Sequence, residues 1–260
     1  MIRFRNLLIV IITLPLLLAP TLALAIAFMT VDDGKPSVCY GNAINGRLEN
    51  GKRLLYAGAN YRAYHIAGYV TGRTFMHSSV RNAVRDAYAA LEKSDPELRF
   101  VYGESGWPHG GKMWPHRTHA NGTAVDFMVP LRTDAGAIAQ INASVVNMLG
   151  YSVTFDNQGR RGATRIDFDA VARHLLALDV AAKANGIRIS RVIFEPPLHH
   201  LLFASPAGQQ LQGKLEFMQR SAWIRHDQHY HVDFDVPCQG GGRGGHKGKG
   251  VESSKRGDVD

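Results

Sequence analysis

The sequence predicts a single α+β domain over residues 32–238, built on a mostly antiparallel sheet with flanking helices and long loops. Three observations carry that reading. Stretches of helical and of strand-like periodicity follow one another without the regular alternation that builds a parallel sheet. The hydrophobic share of 45% is that of a chain with a real core. Both ends differ in composition from the middle, so a body lies between a leader and a tail.

The leader, "MIRFRNLLIVIITLPLLLAPTLALAIAF", sets Arg3 and Arg5 before an uncharged apolar run that reaches Met29. A small-x-small site at Ala23, Leu24 and Ala25 suits cleavage after export. The run is also nearly long enough to span a bilayer, although Pro15 and Pro20 disfavour an unbroken helix. Residues 1–29 are therefore a signal peptide or a signal anchor, and any membrane contact is expected through this segment alone. The body holds two cysteines, Cys39 and Cys238, which bracket almost all of it. An oxidising compartment favours a disulfide between them, tying the first residues of the fold to its last.

Residues 38–70 are rich in Gly, Asn and Tyr, and short irregular pieces are expected there. "HSSVRNAVRDAYAALEK" places Val80, Ala83, Val84, Ala87, Tyr88 and Leu91 at helical spacing, with Ser78 or Ser79 as N-cap. "LRFVYGE" (98–104) reads as a strand, 105–122 as a long loop dense in Gly, Pro, Trp and His, and "TAVDFMV" (123–129) as a buried strand. "SVTFDNQGRR" is expected to be a strand running into a turn at Asn157–Gly159. "DFDAVARHLLALDVAAKANG" is a second amphipathic helix, opened by Asp167 or Asp169 and closed by Gly186. "IRISRVIF" reads as a strand stopped by Pro196 and Pro197, 205–221 as a mixed helical stretch, and "YHVDFDV" (230–236) as the last strand. The Gly-rich basic tail, 239–260, is too poor in apolar residues to bury a core and is expected to be disordered.

The formal charge is +8. Arg3 and Arg5 in the leader and an excess of two positive charges in the tail leave +4 for the body. That balance suits an anionic ligand and is too small to argue for nucleic acid, which is not expected as a partner.

Chemistry is concentrated in the histidines, of which the chain has 12. "HDQHYHVDF" packs His226, His229 and His231 into six positions and then adds Asp233. On a strand, side chains two residues apart share a face and lie about 7 Å from each other. His229, His231 and Asp233 then line one side, and Tyr230, Val232 and Phe234 enter the core. "HRTHANGTAVDF" contributes His116, His119 and Asp126, with Gly122 permitting the chain to reverse between them. Adding a histidine from the last strand makes a His–Asp–His set. Such donors suit zinc and leave a fourth position for water, whose pKa falls to near 7 on the metal. No HExxH helix is present, so a histidine rather than the glutamate of that class must serve as base.

This pattern resembles the penicillin-insensitive murein endopeptidases, zinc peptidases of the lysostaphin, D-Ala-D-Ala metallopeptidase and hedgehog-like superfamily. That superfamily carries His-x6-Asp followed much later by His-x-His, here His119, Asp126 and the pair His229/His231. The endopeptidase branch adds a histidine three residues before each motif, matched by His116 and His226, and "GGKM" at 110–113 is similar too. The resemblance is carried by residues 103–130 and 222–236. It implies His119, Asp126 and His231 as ligands of Zn2+. It implies His229 as the catalytic partner, holding or deprotonating the attacking water or stabilising the oxyanion, with His226 and His116 as further catalytic candidates. The activity implied is hydrolysis of peptide cross-links in peptidoglycan, at the D-alanyl to meso-diaminopimelyl bond, in the periplasm. The alternatives are a D,D- or L,D-carboxypeptidase on the same scaffold, or a non-catalytic zinc-containing domain that binds wall or protein. The chain departs from the family pattern in having only the bracketing cysteine pair and in its basic tail.

Around the motifs, Asp233 either orients a ligand histidine or is a solvated strand carboxylate. Trp107 and Trp114 either wall a substrate groove or anchor the long loop. Lys112 and Arg117 are candidates for binding peptide carboxylates, and Glu104 and Glu195 receive no role.

Overall fold

A computed structural model describes residues 32–240. The predicted leader, 1–29, and the predicted tail beyond Gly240 lie outside the described residues. The chain begins with β1 (Val38–Gly41), β2 (Gly46–Glu49), β3 (Tyr61–Ala63) and the short helix α1 (Ile66–Val70). Helix α2 (Ser78–Ser94), β4 (Phe100–Tyr102) and β5 (Ala124–Met128) follow, then β6 (Leu131–Thr133) and β7 (Ile138–Ala139). Next come β8 (Arg160–Arg161), β9 (Thr164–Ile166), α3 (Phe168–Ala184), β10 (Arg188–Ile193), α4 (His199–Ala204) and β11 (His229–Asp235). The described residues thus form an α+β domain of four helices and three mostly antiparallel sheets, as predicted.

The central sheet has the order β10-β11-β5-β4-β3, antiparallel except between β3 and β4. Strand β11 alternates as expected: Tyr230, Val232 and Phe234 are buried among the core residues, and Tyr230 bonds His174 Nδ1 at 2.7 Å. His229, His231 and Asp233 take the opposite face by the period of two. Pairing sets His231 directly across from Asp126 on β5, which brings the two halves of the sequence motif into register.

Helices α2 and α3 pack on each other behind this sheet. The predicted apolar stripe of α2, Val80 to Leu91, is its buried face. Its cap is His77 and not Ser78 or Ser79: His77 Nδ1 accepts from the Ser79 amide at 3.2 Å. Ser78 is already helical, and its own N–H is satisfied from a distance by Ser37 Oγ at 3.0 Å. Asp167 caps α3 by accepting from the Ala170 amide at 3.1 Å, and Gly186 follows its C-cap at φ +73°.

Two expected elements differ. Residues 152–155 form no strand, because side chains satisfy their backbone donors: Ser152 N–H reaches Asn147 Oδ1 (2.9 Å), Val153 N–H reaches Gln228 Oε1 (2.7 Å) and Phe155 N–H reaches Asp227 Oδ2 (2.8 Å). Over 205–221 the helical content is a single 3-10 turn, Gly208–Leu211, and the true helix α4 lies earlier. Beyond that turn Val192 pairs with Glu216 and Met218, which keeps the segment extended along β10.

Cys39 and Cys238 form the expected disulfide, with Cα atoms 4.7 Å apart across 199 residues of chain. No described helix is long and apolar enough to cross a membrane.

Candidate active site

His116, His119, Asp126, His226, His229, His231 and Asp233, all singled out in the sequence, meet on one face of the central sheet. Asp126 is the hub. Its Oδ1 lies 2.8 Å from His231 Nδ1 and 3.4 Å from His119 Nε2, and its Oδ2 lies 3.4 Å from His116 Nδ1 and 3.9 Å from His229 Nε2. The His226 ring sits 4.8 Å from that of His229.

His119 reaches this point through its backbone. Its φ is +78°, a left-handed conformation that costs a side-chain-bearing residue about 1–2 kcal/mol. Gly122 completes the reversal at φ +71°, where a Cβ would stand 2.7 Å from Leu48 Cδ2 and 3.0 Å from the His77 amide nitrogen. The His119 Nδ1–H donates to Ser105 O at 3.1 Å, which turns Nε2 toward Asp126. His229 is held the same way, its Nδ1–H donating to Gly150 O at 3.1 Å. Both Nε2 atoms are buried without a hydrogen-bond partner. Two orphaned acceptor nitrogens beside a buried carboxylate are a costly arrangement unless something occupies the space between them. Donor atoms of His116, His119 and Asp126 also lie within 4.8 Å of one another. The residues fit a metal ion.

The remaining groups hold these in place. His231 Nε2 lies 2.9 Å from Asp233 Oδ1, and Arg191 donates to the other Asp233 oxygen from Nε (2.8 Å) and Nη2 (2.6 Å). Asp233 is therefore an orienting carboxylate, not a solvated one. His116 Nε2 donates to Glu104 Oε2 at 2.5 Å, and its Nδ1 accepts from the Tyr151 hydroxyl at 3.0 Å. Arg73 binds both Glu104 oxygens. Glu195 accepts from the His226 amide at 3.0 Å and the His226 Nδ1–H donates to Ile224 O at 2.8 Å.

Burial pushes His229 down to about 3 despite the attraction of Asp126, so its imidazole is neutral across the physiological range. Burial lowers His119 and His226 too. It would lower His231 as well, but Asp233 and Asp126 outweigh it and hold that imidazole up at about 10. Burial works against the carboxylates, yet the imidazoles of His119, His229 and His116 keep Asp126 well below its usual value. His231 and Arg191 bring Asp233 to about 2. Burial drives the Tyr151 phenol far up, so it stays a donor.

Trp107 anchors the loop, its Nε1–H donating to Lys112 O at 3.3 Å and its ring meeting the Arg73 guanidinium. Trp114 is 78% exposed. Arg117 lies over the ring of Trp223. Sequence reasoning missed Tyr151, Arg73 and Arg191. Each reaches the site from a segment with no motif, and only the Arg191–Asp233 pair had a signal, the β10–β11 register.

An α+β domain whose central sheet gathers imidazoles around one carboxylate defines a class: proteins with a buried His/Asp centre able to hold a metal ion. A family profile described as penicillin-insensitive murein endopeptidase matches residues 39–254, and the chain belongs to that family. It is thus a peptidase that acts on murein, with peptidoglycan as substrate. None of the curated proteins compared with the chain matches it.

Proposed function

We propose that the protein hydrolyses the D-alanyl to meso-diaminopimelyl cross-link of peptidoglycan in the periplasm, with Zn2+ held by His119, Asp126 and His231. The observation that carries this is the convergence of buried imidazoles on Asp126 with two Nε2 atoms left unpartnered. His116 is near enough to compete as a ligand, and like His231 it has both nitrogens engaged, by Glu104 and Tyr151. His231 Nδ1 lies closer to Asp126 and has Asp233 behind it, the usual support for a ligand histidine.

A zinc ion held by His119, Asp126 and His231 would supply an acidified water and polarise the scissile carbonyl. His229 does the proton work: its Nδ1–H is fixed on Gly150 O, so Nε2 carries the lone pair that accepts a proton from the attacking water. The same nitrogen then hands that proton to the leaving amine. Tyr151 stays protonated, and its hydroxyl would have to leave His116 Nδ1 to donate toward negative charge developing on the carbonyl oxygen. His226 and His116 enclose the site. Residues 1–29 serve export as a signal peptide or anchor, and 32–238 form the catalytic domain. The disulfide agrees with an oxidising compartment.

The test is digestion of purified cross-linked muropeptide dimers, with zinc supplied or removed by a chelator, and products followed by mass spectrometry. Zinc-dependent conversion to monomers supports the proposal. Release of single D-alanines makes the protein a carboxypeptidase, and zinc binding without cleavage makes it a binding domain.

A further inference from the structure

From Ala135 to Phe155 the chain carries no charged residue. This segment contains β7 and a 3-10 turn, Val145–Asn147, and it carries Gly150 and Tyr151, which hold His229 and His116. At the turn Val145 is 94% exposed and Val146 81%, with Met148 following at 45%. Apolar side chains this close together and all turned to solvent form a patch rather than scattered exposure. Their backbone is fixed from beneath. The Asn147 side chain is buried and its Nδ2 donates to the Tyr64 hydroxyl at 2.7 Å, while that hydroxyl donates to Asn147 O at 2.7 Å. Ser144 Oγ accepts from the Asn147 amide at 3.2 Å. The turn is thus built to present Val145 and Val146 outward.

A cation sits at its base. Arg62, on β3, donates from Nε to Gln140 Oε1 at 3.1 Å and from Nη2 to Asn142 Oδ1 at 3.4 Å. Its Nη1 donates to the carbonyls of Ala63 and Tyr64. All of these partners are neutral, so among the described residues the guanidinium pairs with no carboxylate. Asn142 comes just before Val145 in the chain, which places the charge beside the tip.

An apolar tip beside a cation that no carboxylate neutralises matches the boundary of an anionic bilayer. There apolar side chains enter the acyl region and the cation meets phosphate. The lack of charge across the segment removes the main cost of such a contact. A protein partner fits less well. Three side chains on a projecting turn fall far short of the roughly 800 Å² that each partner gives a stable interface.

We infer that the turn at Val145–Asn147 rests on an anionic membrane surface, with Val145, Val146 and Met148 inserted and Arg62 on lipid phosphate. This contact is separate from the leader, so it persists once residues 1–29 are removed. Because Gly150 and Tyr151 lie on the same segment, it also holds the catalytic centre close to the membrane.

Residues 32–240 suit the test, since they hold the buried core and the disulfide that closes it, without the leader or the basic tail. Co-sedimentation with vesicles of phosphatidylglycerol and phosphatidylethanolamine should capture this domain. The double variant Val145→Asp, Val146→Asp should bind at least about tenfold more weakly. Val180→Asp, which changes an exposed apolar residue on α3, should bind as the parent does. Arg62→Gln should weaken binding about fivefold on these vesicles and leave it unchanged on phosphatidylcholine alone. The double variant alters only exposed side chains, and an unshifted melting temperature checks that its fold is kept. Failure of the parent to sediment, or equal binding by the double variant, overturns the inference. A parent that is dimeric in solution, with a monomeric double variant, would also overturn it and assign the turn to a second copy of the chain.

Discussion

His231 stands between two carboxylates, its Nδ1 2.8 Å from Asp126 Oδ1 and its Nε2 2.9 Å from Asp233 Oδ1. Without metal these neighbours hold the imidazole charged, with its pKa raised from 6.5 to about 10. A metal taken up at Nδ1 must displace that proton. At pH 7 zinc binding should therefore release about one proton from this residue, and affinity should rise with pH until about 10. Calorimetry in buffers of different ionisation heat checks the count. The same proton stabilises the metal-free fold: its contribution is complete below pH 6.5 and is lost as pH rises through about 10.

Asp233→Asn removes the charge behind His231, the proposed ligand, while keeping its size. Zinc affinity should fall about 10- to 100-fold, with the fold intact. Competition with a chelator of known affinity measures this directly.

Tyr151→Phe removes one hydroxyl from the site. If Tyr151 donates to the oxyanion, kcat should fall about 100-fold while zinc content stays at the parent level. A change in KM alone would assign the phenol to substrate binding.

Glu104 is buried between Arg73 and His116. Glu104→Ala leaves both without their anion, and the unfolding free energy should drop by about 3 kcal/mol in a denaturant titration. Loss of the Cys39–Cys238 bridge in Cys238→Ser should cost about 2–4 kcal/mol by the same measurement.

Much of this was legible before the structure. Alternation in β11 separates Tyr230, Val232 and Phe234 from His229, His231 and Asp233, and local sterics alone dictate that separation. The apolar stripes of α2 and α3 are local in the same sense. What stayed hidden depends on contacts between distant segments. Arg191 meets Asp233 through strand register, Tyr151 reaches His116 across 35 residues, and Asp227 and Gln228 turn the would-be strand at 152–155 into an extended segment without a partner strand. The His77 cap was missed because serine is the commoner cap and Ser37 lies too far away in sequence to suggest itself.

The central claim is that three side chains hold the metal and His229, beside them, moves the proton. It is tested most directly by zinc content and dimer cleavage measured together on His229→Ala. The account predicts one zinc per chain and a loss of turnover of about 10²- to 10⁴-fold. Zinc lost along with activity would make His229 a ligand, and cleavage at the parent rate with zinc bound would remove it from the chemistry altogether.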